Sequence, residues 1–281
     1  MEEDVARVRA HFDAIGDAEW DRLAASPRDR VSFELHRRLL AELVRPGHRV
    51  LEVGAGPGRF TIELARLGAR VTVTDISAVQ LELNEHHVRA AGCEEAVERR
   101  LALDIRDVVE LDRDTYDAVV AYGGALSYVF EDASDAFRQL VRVTRPEGIV
   151  LASVMSKVGS LRYFLPLALE ERARYGGELY DLVMETGDLR GIPGSHTCEM
   201  HTWRDVEAFV AGAPGEVVAA SASNCMSLGD QDSIARIERD PELWRWFVEW
   251  EARLCREPGA LDGGTHILFA FRRAPEPAPG L

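Results

Sequence analysis

The stretch from Val50 to Phe60, VLEVGAGPGRF, decides the fold. An apolar run broken only by Glu52 enters three glycines spaced two apart, and RFTIELARLG then reads as a helix. A glycine-rich turn between strand and helix lets backbone approach a ligand closely and aims the helix N-terminus at it. Several cofactors use that arrangement. The dinucleotide fingerprint G-x-G-x-x-G needs a glycine at position 59, which is Arg, and the third glycine is Gly58 instead. A phosphate-binding loop needs Gly-Lys-Ser/Thr after the turn, whereas Gly58 is followed by Arg-Phe-Thr. Both readings are disfavoured.

Outward from this stretch, strand and helix change places every dozen or so residues. RVLEVG is followed by RFTIELARLG, and ARVTVTDI by SAVQLELNEHHVRAAG, in which Ser77 and Gln80 have capping-box spacing and Gly92 suits a helix end. VERRLALDI makes a mediocre third strand and YDAVVAYGG a good fourth. DASDAFRQLVRVT repeats Phe137, Leu140, Val141 and Thr144 at helical spacing, and RPEG ends it before the strand GIVLASVM. Repeated βα units with near-continuous Val/Ile/Leu strands imply an α/β fold, a parallel sheet covered on both faces.

The flanks differ. Residues 1–48 read as a helical segment and possible lid, with Phe33, Leu39, Leu40 and Leu43 near one face and Pro46-Gly47 as the stop. After the core at 49–155 the rhythm breaks over 156–201, read as an insertion of two helices and a loop that caps the substrate site. It resumes over 202–273: Thr202 and Asp205 cap WRDVEAFVAG, EVVAASASN is a strand, PELWRWFVEWEARLC is a helix with Leu243, Phe247, Trp250 and Leu254 along one side, and THILFAFRR is the last strand. The tail 274–281 is expected to be disordered.

Glu52-Val-Gly54-Ala-Gly56-Pro-Gly58 resembles the first motif of class I S-adenosylmethionine-dependent methyltransferases, and the segments GGALSYV and HTCEMHTW resemble bacterial small-molecule members of the methyltransferase type 11 kind. The resemblance covers roughly residues 30 to 155 and the final strand. It implies a Rossmann-like methyltransferase fold: a mostly parallel seven-stranded sheet, helices on both faces, an antiparallel last strand. It also implies the cofactor, S-adenosylmethionine, with S-adenosylhomocysteine as product. By this resemblance Glu52, Gly54, Ala55, Gly56 and Gly58 form the cradle. Asp75, 23 residues after Glu52, takes the ribose hydroxyls beside Ile76. Asp104 and Ile105 meet the adenine, and backbone around Tyr122 borders the methionine part. A carboxylate suits the ribose because both adjacent hydroxyls can donate to it.

Substrate residues are less legible, because an activated sulfonium asks the protein chiefly for alignment and desolvation. Loops at the carboxyl ends of the strands should form the acceptor pocket. His196 and His201, flanking Cys198 and Glu199, are the candidate general bases, with Tyr128 and Ser127 as pocket candidates and Trp20 and Arg22 as residues that either close over the cofactor or pack. HTCEMH without a second ligand group elsewhere gives no metal site.

Composition bounds the rest. A formal net charge of −15 disfavours nucleic acid as substrate. No run approaches the ~18 apolar residues needed to span a bilayer, and the opening MEEDVARVRAHF has no apolar core of a secretory signal, so a cytoplasmic protein that acts away from membranes is expected. Four dispersed cysteines read as reduced thiols. The expected function is methyl transfer to a nitrogen or oxygen of a small molecule or short peptide by a monomer or homodimer. The competing readings are a methyltransferase acting on protein or RNA, a catalytically silent cofactor-binding module, and the disfavoured nicotinamide oxidoreductase.

Overall fold

In the computed structural model, which describes residues 2–194 and 196–276, seven strands join in one sheet among those residues. They are β1 (Arg49–Val53), β2 (Arg70–Asp75), β3 (Val97–Ala102), β4 (Tyr116–Ala121), β5 (Thr144–Met155), β6 (Gly215–Ala222) and β7 (His266–Arg273), in the order β3-β2-β1-β4-β5-β7-β6. β1 to β5 pair in parallel, while β7 runs antiparallel between β5 and β6. Strand order reverses between β1 and β4, so the chain leaves these neighbours toward opposite sides and a crevice opens at their carboxyl ends.

Side-chain alternation along each strand builds two cores. Leu51, Val53, Val119, Phe269 and Phe271 face α6 (Ala133–Val143) and α10 (Trp203–Val210) through Phe137, Leu140, Val206 and Phe209. Val50, Val71, Val73, Ala118 and Val120 face α3 (Pro27–Leu43) and α4 (Arg59–Arg66) through Leu39, Leu40, Phe60 and Leu64. The helical stripe read as Phe137, Leu140, Val141 and Thr144 is buried throughout. The mediocre third strand is also explained: β3 is an edge strand that pairs only with β2 and stays half-exposed, so RRLA needs no continuous apolar run.

The amino-terminal segment folds into α1 (Glu2–Ile15), α2 (Ala18–Arg22) and α3. α1 and α2 dock on α5 (Ala78–Ala90). Ser77 Oγ, at the cap of α5, donates to Asp13 at 2.5 Å, and the Gln80 side-chain amide donates to the carbonyls of Phe12 and Gly16 at 2.9 and 3.0 Å. The reciprocal half of a capping box at Ser77 is therefore missing, because Gln80 is spent on α1. Thr202 and Asp205 do form the full box.

Two expectations are corrected. The insertion holds three helices, α7 (Lys157–Tyr163), α8 (Leu165–Tyr175) and α9 (Gly177–Thr186), since Pro166 restarts the chain at the beginning of α8 and Gly176, in a left-handed φ of 103°, divides the remainder. The stripe of α12 (Pro241–Leu254) is not the one expected: Leu243, Trp250 and Leu254 are exposed and the helix packs through Phe247, Val248 and Glu251, against a further helix α11 (Gln231–Glu238). The last three described residues, 274–276, have no regular structure, and the rest of the tail expected to be disordered lies outside the described residues. No described helix is long and apolar enough to cross a membrane.

Candidate active site

Where β1 and β4 part, a cavity runs under the amino-terminal helices. Its floor is Val53, Gly54, Gly56, Asp75, Ile76, Asp104 and Ile105, and its roof is Val5, Val8, Phe12 and Glu19. Tyr122, Gly123, Ala125, Tyr128 and Val129, from the segment after β4, close the far wall. The segments that follow four strands, β1 to β4, and two helices distant in sequence thus converge on one space.

The glycine turn is shaped from within. Asp75 at the end of β2 accepts from Gly56 N at 2.8 Å and from Ser77 N at 2.9 Å, one bond to each carboxylate oxygen. Each oxygen keeps a further lone pair for a donor in the cavity. Burial, opposed by these two bonds, pushes the Asp75 carboxyl up to about 6. Gly56 has a left-handed φ of 53°, and a Cβ there would project into the gap between turn and roof, 3.9 Å from Glu19 Cγ and 4.0 Å from Gln80 Oε1. A side chain would fill the space a ligand needs.

Three expected cradle residues lie elsewhere. Glu52 shares the face of Val50, so its carboxyl sits beneath α4, 2% exposed, where Thr61 Oγ1 donates to it at 2.6 Å. Asn84 bonds Thr61 Oγ1 in turn, and Arg100 bonds Asn84. Burial pushes Glu52 up to about 8. Gly58 caps α4 and faces Asn84 and Val88, and Ala55 N donates to Thr74 O. These residues brace the turn from behind and do not line the cavity.

Asp104 does line it, but with a partner that sequence reasoning did not supply. Its carboxylate accepts from Arg106 N at 2.8 Å and from the Arg106 guanidinium at 3.0 and 3.1 Å, while Arg106 Nε donates to Asp132 at 2.9 Å. Tyr122 borders the cavity with its ring edge-on to His36 and Phe60, and its buried hydroxyl has no hydrogen-bond partner among the described residues.

Tyr128 and His196 come together across 68 residues: Tyr128 Oη lies 2.7 Å from His196 Nε2. His11 packs edge-on to His196 and Phe12 to Tyr128, so the insertion's return loop and α1 meet above the cavity. Burial, with smaller contributions from His11 and Arg22, lowers His196 to about 4, and burial raises the Tyr128 hydroxyl. Both groups are neutral at physiological pH. His201 does not join them. Its segment bridges to Ser156, which turns the ring edge-on to Phe209 in the core, with Nε2 buried and without a partner among the described residues. Ser127 is also occupied, accepting from Met155 N at 2.9 Å. Trp20 packs rather than lines: it stacks on His87 and lies under the Arg59 guanidinium.

Sequence reading missed Glu19 and the apolar roof. The signal for the roof was present, since Val5, Val8 and Phe12 recur at i, i+3 and i+7 along an otherwise charged helix. For Glu19 there was none.

The lining is compatible with S-adenosylmethionine: Asp75 keeps lone pairs for hydroxyl donors, Asp104 stands beside Ile105, apolar side chains could flank a base, and three lining carboxylates face one lining guanidinium. Residues 50–148 match the family described as "Methyltransferase domain". The chain is 33% identical over 127 residues to the methyltransferase GfsG of Streptomyces halstedii, covering 44% of this chain and 42% of that protein. It is 31% identical over 151 residues to the demethylmenaquinone methyltransferase of Corynebacterium urealyticum, covering 53% and 59%. The chain thus spans about half the length of these curated relatives. Among solved structures, geranyl diphosphate C-methyltransferase from Streptomyces coelicolor, crystallised with S-adenosyl-L-homocysteine, superposes with a TM-score of 0.54 at 16% identity, over 86% of this chain and 77% of that one. At that identity the likeness is one of fold.

Proposed function

We propose that this chain, whose residues 50–148 match a methyltransferase domain, is a class I S-adenosylmethionine-dependent methyltransferase that moves the cofactor's methyl group to a nitrogen or oxygen of a small molecule or short peptide. The observation that carries the reading is the convergence of Gly54, Gly56, Asp75, Asp104 and Tyr128 on one cavity roofed by α1. Asp75 is the ribose acceptor, and Asp104 and Ile105 meet the adenine with Arg106 fixing the acid. Gly54 and Gly56 allow close approach of backbone to the methionine part. When bound, the cofactor supplies an electrophilic methyl on a sulfonium, ready for in-line displacement.

What remains for the protein is to align the acceptor, exclude water and remove one proton. Tyr128 faces the cavity and His196 stands behind it. A neutral His196 carrying its proton on Nδ1 accepts from the Tyr128 hydroxyl, and the tyrosine oxygen takes the acceptor's proton as the new bond forms. Net, the proton leaves the acceptor and ends on His196 Nε2. Residues 156–201 act as the substrate cap and 1–48 as the lid. The small-molecule acceptor is supported by the name of the quinone-directed relative. We place the enzyme in the cytoplasm, acting neither on nucleic acid nor at a membrane, as monomer or homodimer.

The test is calorimetry with S-adenosylmethionine, S-adenosylhomocysteine and NAD, followed by transfer of labelled methyl to a panel of phenols, hydroxy acids and amines. Binding of the first two without NAD, with label in a small acceptor, is expected. Binding without transfer to any acceptor, including cell extract, would favour the silent module; label in protein or RNA would favour the macromolecular enzyme.

A further inference from the structure

We infer that Glu19, carried on α2, is a charge-discriminating residue of the cofactor cavity, favouring the sulfonium cation of the methyl donor over the neutral thioether of the product. The inference rests on the cofactor reading above and goes beyond it, to how donor is told from product.

Glu19 belongs to the roof and lies over the turn: its Cγ is the nearest atom to the position a Cβ on Gly56 would take. Both of its carboxylate oxygens are held by Arg22, at 2.7 and 2.8 Å, in a fork-on-fork geometry that fixes the carboxylate's direction. Arg22 itself is not among the residues lining the cavity, so Glu19 is the member of the pair that the cavity meets. Across the cavity stands Asp75, close enough to Glu19 for the two charges to be felt, and Asp104 is the third acid. The opposing guanidinium, Arg106, is divided between Asp104 and Asp132. Among the lining side chains three acids thus stand against one guanidinium, beside the apolar side chains of Val5, Val8 and Phe12, where charges are felt more strongly than in open water.

A fixed positive charge on sulfur meets this field favourably, and a thioether does not. Transfer of the methyl group removes that positive charge and leaves the carboxylates less compensated, which weakens the hold on product. Glu19 touches the cofactor side of the cavity, while Arg22 is the positioning residue that orients it.

The test uses calorimetry on the full chain with three probes: S-adenosylmethionine, S-adenosylhomocysteine, and sinefungin, which carries an amine in place of the methylated sulfur. Glu19→Gln should weaken S-adenosylmethionine and sinefungin by about three- to tenfold, and S-adenosylhomocysteine by less than about twofold, as expected for one partly compensated charge. Equal weakening of all three would make Glu19 a contact to the shared adenosine or amino-acid part, and no change would make it a bystander; either overturns the inference. If Glu19→Gln does not fold, Glu19→Asp keeps the charge and the Arg22 partner but withdraws the carboxylate, and the affinity ratio of donor to product should fall in the same direction. Failure of the unmodified protein to bind S-adenosylmethionine would overturn the cofactor reading itself, an outcome distinct from an unchanged ratio in the variant.

Discussion

The hydroxyl of Tyr128 and Nε2 of His196 are hydrogen-bonded at 2.7 Å, joining the segment after β4 to the loop that returns from the insertion. Burial keeps the imidazole neutral, with its pKa lowered to about 4. If it relays the acceptor's proton, Tyr128→Phe and His196→Gln should each lower kcat by about 10²-fold, a typical general-base contribution. Cofactor affinity should stay within about twofold of the parent. The pH profile separates this role from simple packing. Base function requires the neutral ring, so no break should occur near 6.5, where an unperturbed histidine titrates, and activity should fall only as pH approaches 4. A break at 6.5 that disappears in His196→Gln would contradict the burial that the structure gives this ring.

Asp75 has two tasks, accepting the Gly56 and Ser77 amides and presenting its remaining lone pairs to the cavity. Asp75→Asn keeps one acceptor oxygen and replaces the other by a donor, which faces either the Gly56 or the Ser77 N–H. S-adenosylmethionine should bind more weakly by about 1.5–3 kcal/mol, the range for hydrogen bonds to a charged group. Calorimetry showing unchanged affinity would remove Asp75 from the ribose role.

How much of this was legible beforehand follows from what each residue's environment depends on. Gly54, Gly56, Asp75 and Asp104 lie at strand ends whose positions follow from local βα alternation, and one cavity brings them together. Glu52 was misplaced because motif resemblance carries no face: alternation along β1 sends it under α4, away from the ligand. His196 and His201 are five residues apart in one loop, and no local pattern separates them. A β-bridge to Ser156 turns His201 into the core, while a contact 68 residues away draws His196 to Tyr128. The apolar stripe of the roof was legible as periodicity, but where it docks depends on Gln80 reaching back to the carbonyls of Phe12 and Gly16, a tertiary bond that periodicity does not reveal.

Glu251 shows the same limit and yields a stability prediction. Its carboxylate, fully buried on α12, accepts from the amides of Cys225, Met226 and Ser227 and from Ser227 Oγ, at 2.7 to 3.1 Å, and so holds the loop after β6. Removing the acceptor leaves buried donors unpaired, each of which costs about 1–3 kcal/mol. Glu251→Ala should lower unfolding stability by at least about 3 kcal/mol in denaturant titration, while Glu249→Ala, on the exposed side of the same helix, should cost under about 1 kcal/mol. Similar losses for the two would mean that the loop does not depend on this anchor.

Glu52 ties stability to pH in a direction that can be checked against the histidines. Burial raises its pKa to about 8 in the folded chain, above the ordinary 4.5, so the folded state binds the proton more tightly than the unfolded one. The stability it contributes is complete below about 4.5 and is lost as pH rises toward 8, at up to about 1.4 kcal/mol per pH unit. His36 and His196, both lowered to about 4, act oppositely: their contribution is present above 6.5 and lost as pH falls toward 4. Glu52→Gln preserves an oxygen for Thr61 Oγ1 and cannot ionise, so it removes the first dependence and leaves the second. The melting temperature of the variant should equal that of the parent near pH 5 and exceed it by a margin that grows up to pH 8. A constant difference across that interval would show that Glu52 is ionised in the folded protein, with the Thr61 and Asn84 network carrying its charge.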